Sequence, residues 1–140
     1  SGAVLIDESY NANPTSMTAS LNLLGSREPA PGGRRIAVLG DMLELGETSA
    51  QLHADIAEPV IENRVSRVFL AGREMRALRD RLTNTKGVHL TWGETSDDIA
   101  KLLGDELRAG DVVMAKASLG MAFAKVIGHL LERYGDKPDA

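Results

Sequence analysis

Leu5-Ile6-Asp7-Glu8-Ser9-Tyr10-Asn11-Ala12-Asn13-Pro14-Thr15-Ser16-Met17 carries a short apolar run straight into a polar turn and then into the start of a helix. Asp7 falls where the apolar run ends. Asn13 has the short side chain that accepts a hydrogen bond from the first unpaired N–H groups of a helix, and Pro14 suits the first helical position, where no N–H is required. A strand, a polar turn and a capped helix in that order make up the unit from which α/β proteins are built, and such a turn brings backbone donors and a carboxylate to the edge where ligands bind.

The same alternation recurs to the end of the chain. Short apolar runs predict strands at Ala3–Ile6, Arg35–Leu39, Arg67–Ala71, Val88–Thr91 and Asp111–Ala115, continuous in hydrophobicity as strands covered on both faces should be. Between them lie stripes of helical period. The first helix runs from Pro14 through Met17, Leu21 and Leu24 to a stop at Gly25; the second opens at Thr48, with Gln51 three residues on in the spacing of a capping box, and turns Leu52, Ile56 and Val60 inward. Pro59 should kink or shorten that second helix. A third stripe is Met75, Leu78 and Leu82, a fourth Ile99, Leu102, Leu103 and Leu107, and a last one Phe123, Ile127, Leu130, Leu131 and Tyr134. The expected architecture is a Rossmann-like three-layer αβα sandwich with a mostly parallel sheet of five strands. Right-handed crossovers suggest the strand order 3-2-1-4-5, with 2-1-3-4-5 as second choice, and both put the first strand beside the reversal.

Composition narrows the function classes. A chain of 140 residues, 43% apolar and 26% charged, suits one domain with one core. A net charge of −4 and a pI near 5.4 give no field to attract nucleic acid or an anionic membrane surface. There is no cysteine, hence no disulfide framework and no thiolate metal site, and no apolar run approaches the length of a membrane span or a signal peptide core. A cytoplasmic protein is the simplest fit. The chain opens on Ser1-Gly2 rather than Met, which reads either as a cloning remnant or as a cut from a longer protein, and leaves room for a targeting signal upstream.

In a parallel sheet all strands end on one rim, so Asp7, Asp41, Gly72, Trp92 and Lys116 are expected to follow the five strands there. Lys116 comes directly after an apolar strand and brings a positive charge to that edge, and Ser118 can cap the helix that follows, whose free N–H groups also favour an anion. His53 sits in a helical stripe beside Leu52 and Ile56 and reads as a packed histidine before it reads as a base. Asp41 and Glu44 lie in a loop where acids are common. Neither G-x-G-x-x-G nor G-x-x-x-x-G-K-[ST] occurs, so the chain has no phosphate loop of its own.

Three ordered segments carry a resemblance: Tyr10-Asn11-Ala12-Asn13-Pro14; Gly40-Asp41-Met42-Leu43-Glu44-Leu45-Gly46 with His53; and Gly110-Asp111-Val112-Val113-Met114-Ala115-Lys116-Ala117-Ser118. Together they resemble the C-terminal domain of the ATP-dependent Mur ligases, in particular the branch that joins D-Ala-D-Ala to a UDP-N-acetylmuramoyl tripeptide in peptidoglycan precursor synthesis. The resemblance implies that residues 1–140 are that single domain, to which the family adds a sixth, antiparallel strand, here expected to precede Ala3. It implies that the phosphate loop, the Mg2+ ligands and the catalytic acids belong to a central domain outside this sequence, so no catalytic or metal-binding residue is expected here. ATP would meet Asp7 at the ribose hydroxyls and Tyr10 and Asn11 near the nucleoside. Asn13, Asp41, Glu44, Lys116 and Ser118 would face the incoming dipeptide, with Asp7 and Lys116 at opposite ends of the cleft. The third segment departs from the family pattern at Ala117, Leu119 and Ala122.

Two rival readings share part of this pattern; the first fails on the residues and the second does not. A signalling receiver domain has an acidic pair after its first strand and a lysine after its fifth, as Asp7, Glu8 and Lys116 do here, but needs an aspartate where this chain has Leu70-Ala71-Gly72, and a proline after the lysine. A nucleotide-binding regulatory module without ligase activity would carry the same rim.

Overall fold

Residues 4–7 and 12–116 are described by the computed structural model. Five strands, β1 (Val4–Asp7), β2 (Arg35–Gly40), β3 (Arg67–Ala71), β4 (His89–Gly93) and β5 (Val112–Lys116), form one sheet in the order β1-β5-β2-β3-β4. Every pairing is parallel. The five expected strands are all present, within a residue or two at their ends, whereas neither expected strand order is correct.

The physical reason lies in the strands themselves. Both expected orders place β5 at an edge, yet Val112–Lys116 is buried along its whole length, as only an inner strand is, while His89–Gly93 is exposed or half-buried throughout and forms an edge. Helices α1 (Pro14–Gly25), α2 (Ser49–Asp55), α3 (Ala57–Glu62) and α4 (Arg76–Leu82) share one face, and α5 (Ser96–Glu106) covers the other. Right-handed crossovers over one face all step the same way, so β1, β2, β3 and β4 advance in one direction; the change of face at α5 sends the chain back, and β5 fills the gap that the first crossover left between β1 and β2. The first strand is therefore at an edge among the described residues, not at the centre.

Two apolar clusters result. Met17, Leu21 and Leu24 of α1 pack with Leu39, Leu70 and Met114, and with Ile56, Val60, Met75, Leu78 and Leu82, on one face; on the other, Ile99 and Leu103 pack on Ile36, Val38, Phe69 and Val113. Leu102, expected in the fourth stripe, is instead 44% exposed, because it lies one position beyond the face that Ile99 and Leu103 turn inward. Asn13 caps α1 as its position predicts: its side chain accepts the Ser16 N–H at 2.8 Å while the Ser16 hydroxyl accepts the Asn13 N–H at 3.0 Å. The capping box expected at Thr48 does not form. A 3-10 turn at Gly46–Thr48 leads into α2 instead, with the Thr48 hydroxyl donating to the Leu45 carbonyl at 3.2 Å and Gln51 donating to Asp55 at 2.6 Å. The expected break by Pro59 is seen as the separation of α2 from α3 at Ile56. The last expected helix, Phe123 to Tyr134, lies outside the described residues.

The end of the sheet away from the rim is closed by charge. Arg67, at the start of β3 and buried, donates to both oxygens of Glu106 at 2.6 and 2.8 Å and to Thr91 at 2.7 Å, with its guanidinium over the Phe69 ring. Arg34 donates to Glu106 at 2.7 Å and to the fully buried Asp111 at 2.8 Å, and Asp111 also accepts the Arg34 and Arg108 N–H groups. Two cations around Glu106 pull its carboxyl down to about 2, Arg67 contributing most. This network ties α5 to β3 and to the entries of β2 and β5.

Candidate functional site

The observed strand order arranges the rim as Asp7, Lys116, Asp41, Gly72 and Gly93, on β1, β5 and after or at the ends of β2, β3 and β4. Asp7 is aligned with Ala115, and Lys116 with Leu39. With neighbouring strands about 4.8 Å apart, Asp7 and Lys116 end adjacent strands. They do not stand at opposite ends of the rim, a second consequence of β5 lying inside the sheet. Lys116 is buried at the end of β5, the strand between β1 and β2.

Asp41 follows β2 and is also buried. One carboxylate oxygen accepts the buried Met75 N–H at 2.9 Å, which ties the loop after β2 to the start of α4. Burial raises the Asp41 carboxyl above its ordinary value, while hydrogen bonds from the Glu74 and Met75 backbone act in the opposite direction. The approach depends on Gly72. That residue has a φ of 109°, and a Cβ there would fall inside the Asp41 carboxylate. Trp92 braces the same turn by donating to the Gly72 carbonyl at 2.7 Å, with the Arg79 guanidinium 5.1 Å from its ring.

Beyond Asp41 the loop is pinned a second time. His53 of α2 is fully buried, its Nε2 accepts the Met42 N–H at 3.0 Å, and its Nδ1 donates to the Ser49 carbonyl at 2.8 Å. The ring nitrogens thus act as one acceptor and one donor, the neutral tautomer. Met42 is buried, Leu43 and Glu44 are exposed, and Leu45 packs back against the core. Glu44 adopts a φ of 61°, the left-handed region. A non-glycine residue there is held by its surroundings rather than by its own preference.

The structure therefore brings Lys116, Asp41 and the Leu43–Glu44 turn to one rim. Asn13 is at the start of α1, which packs on β5 and β2, with its side-chain oxygen engaged in the cap. Tyr10, Asn11 and Ser118 lie outside the described residues, as do Ala117, Leu119 and Ala122. Sequence reasoning left His53 as a packed histidine and missed that it accepts the Met42 N–H; no local spacing signals a bond across eleven residues. It also missed Gly72, Met75 and Trp92 as the frame for Asp41, although a glycine directly after a buried strand was a usable sign of close approach. Among the described residues no three His, Cys, Asp or Glu side chains are placed to hold a metal ion. No helix among them is long and apolar enough to cross a membrane.

A parallel αβα sheet with an acid after the second strand and a buried lysine ending the fifth is the setting in which the sequence match falls. Residues 1–119 match the family described as Mur ligase, glutamate ligase domain, and the chain belongs to that family, as its C-terminal domain. Within it the chain is similar to the UDP-N-acetylmuramoyl-tripeptide–D-alanyl-D-alanine ligase of Bacillus subtilis strain 168, 30% identical over 133 residues that cover 94% of this chain and 29% of that protein. It is 37% identical over 134 residues to the enzyme of the same name from Mycobacterium tuberculosis H37Rv, covering 84% of this chain and 26% of that protein. Among solved structures it resembles the MurF ligase of Thermotoga maritima in complex with ADP, with a TM-score of 0.72 and 29% identity over 95% of this chain and 29% of that one. A MurF of Acinetobacter baumannii superposes with a TM-score of 0.78 at 25% identity, over 93% of this chain and 28% of that one. The chain thus spans less than a third of the length of each of these four proteins.

Proposed function

We propose that this chain is the C-terminal domain of a cytoplasmic ATP-dependent ligase that adds D-Ala-D-Ala to a UDP-N-acetylmuramoyl tripeptide in peptidoglycan precursor synthesis. In the reaction, ATP converts the tripeptide carboxylate to an acyl phosphate with release of ADP. The dipeptide amine then attacks the acyl carbon, and a tetrahedral intermediate expels phosphate to leave the amide. Without a phosphate loop, these residues contribute by holding substrates in register and excluding water as the domain closes.

On this reading Asp7 accepts hydrogen bonds from the ribose hydroxyls, with Tyr10 and Asn11 near the nucleoside. Lys116 holds the dipeptide carboxylate, with Ser118 at the following helix start. Glu44 attracts the dipeptide ammonium before it gives up a proton, and Asn13 and Asp41 shape the wall between. The observation that carries the reading is the 37% identity to named D-Ala-D-Ala ligases across 84% of the chain. The rim supports it, because one positive and two negative side chains within neighbouring strand ends and loops complement a zwitterionic dipeptide.

Steady-state kinetics of the intact ligase test this assignment, with ATP and D-Ala-D-Ala varied independently. Asp7→Ala should raise the apparent KM for ATP through lost charge-assisted hydrogen bonds worth about 1.5–3 kcal/mol each. Lys116→Ala should act mainly on D-Ala-D-Ala, and Lys116→Arg should restore it only in part, since a planar fork replaces a point charge. Alanine variants that both shift the same substrate's constant, or leave both unchanged, would refute the division of labour.

A further inference from the structure

His53 is the one fully buried histidine among the described residues, and it touches neither substrate in the proposed reaction. Its geometry assigns it a task. The Nδ1 bond to the Ser49 carbonyl, at 2.8 Å, lies within its own helix and sets the ring's rotation and tautomer. The Nε2 atom is thereby left as an acceptor, and it takes the buried Met42 N–H at 3.0 Å. Met42 stands two residues before Glu44. On the other side of Met42, Asp41 is tied to the Met75 N–H at 2.9 Å, so two consecutive residues are anchored to two different helices, α2 and α4. Immediately beyond these anchors the chain turns outward at exposed Leu43 and at Glu44 with its φ of 61°, then returns through Leu45 to the core. Met42 is thus held at the root of that turn, two residues before Glu44.

We propose that His53 is a positioning residue for the acceptor substrate: by accepting the Met42 N–H it fixes the Leu43–Glu44 turn, and so places the Glu44 carboxylate for the ammonium of the incoming amino component. The inference rests on the reading that this loop faces the dipeptide, and goes beyond it in naming a buried residue that touches no substrate. An amide acceptor at the reach of Nε2 serves the same purpose. Glutamine reaches that far, and asparagine stops near the position of Nδ1.

The test compares His53→Gln with His53→Asn in the intact ligase, each checked by thermal melting. His53→Asn should raise the KM for D-Ala-D-Ala about tenfold while leaving the KM for ATP within about twofold, and His53→Gln should return the dipeptide constant to within about threefold of the parent. Equal effects of the two variants, or equal shifts in both substrates' constants, overturn the proposal, since loss of packing alone would produce them. Glu44→Gln separates this inference from the reading beneath it. If Glu44→Gln leaves the dipeptide KM unchanged, the acceptor-side reading of the loop fails; if it raises that constant while His53→Asn does not, only the positioning role of His53 fails. Amide exchange in the unaltered ligase gives a second measurement that needs no variant. Saturating D-Ala-D-Ala should slow exchange at Leu43 and Glu44 by about threefold or more where ATP alone does not, and no slowing by the dipeptide overturns the proposal.

Discussion

Replacing Glu106 by glutamine should destabilise the 140-residue chain by about 2 kcal/mol at pH 7, and the difference should shrink steadily as the pH falls below about 5. Glu106 ends α5 and receives both Arg67, through two hydrogen bonds of 2.6 and 2.8 Å, and Arg34, at 2.7 Å. These cations lower its carboxyl from an ordinary 4.5 to about 2. Such a fall corresponds to about 3 kcal/mol of stabilisation by linkage. The side chain keeps 32% of its exposure, and solvent screening brings the figure to about 2 kcal/mol. Because the folded-state value lies below the ordinary one, the contribution is complete above about pH 5 and is lost as pH falls toward 2. Glutamine keeps the shape and one acceptor but never carries the charge, so it should lack this acid-sensitive component. Urea unfolding of the parent and Glu106→Gln at intervals from pH 7 to pH 3 measures it directly. A gap that stays constant with pH, or that is below about 0.5 kcal/mol at pH 7, would refute the ion-pair account.

Gly72→Ala should cost about 1–3 kcal/mol, since it puts a Cβ into the Asp41 carboxylate and a side chain on a residue with φ of 109°; urea unfolding at neutral pH reads it, and a neutral result would mean that the rim is looser than described. Leu103→Ala should lose about 2–5 kcal/mol from the cluster under α5, while Leu102→Ala, on the exposed neighbour, should stay within about 0.5 kcal/mol. Comparable losses at the two positions would show that α5 is rotated on the sheet.

How much of this was legible in the sequence depended on the range of the interactions involved. Strands and helices followed from local apolar periodicity, and the Asn13 cap from residues three apart, because those signals act within one turn of chain. The strand order did not, because it is set by which strands need cover on both faces. The sign was present in the contrast between Val112-Val113-Met114-Ala115 and the polar alternation of His89-Leu90-Thr91-Trp92, and it outweighs the habit of assuming a common order. Leu102 was misassigned for a similar reason: adjacent leucines in a helix cannot both face one sheet, and only packing decides between them. At the rim, Asp41 and Lys116 were placed correctly because strand ends in a parallel sheet share an edge. The frame around Asp41 was not legible, since the Met75 N–H, the Gly72 turn and the Trp92 brace come from segments more than thirty residues away in sequence. The charged network of Arg34, Arg67, Glu106 and Asp111 was likewise invisible, because an arginine opening an apolar strand looks like a boundary until its partners on α5 are known.

On the proposed function, this rim serves the acceptor dipeptide in a ligase of the Mur family. Its most direct measurement is product formation by the intact protein carrying this domain, given ATP, UDP-N-acetylmuramoyl tripeptide and one amino component at a time, with mass analysis of the product and phosphate release in parallel. The expected result is amide product and phosphate with D-Ala-D-Ala, little of either with L-alanine, D-glutamate or a diamino acid, and no turnover by the 140-residue chain alone, which has no phosphate loop. Turnover with one of the single amino acids in place of D-Ala-D-Ala, or ATP hydrolysis by the isolated chain, would contradict it.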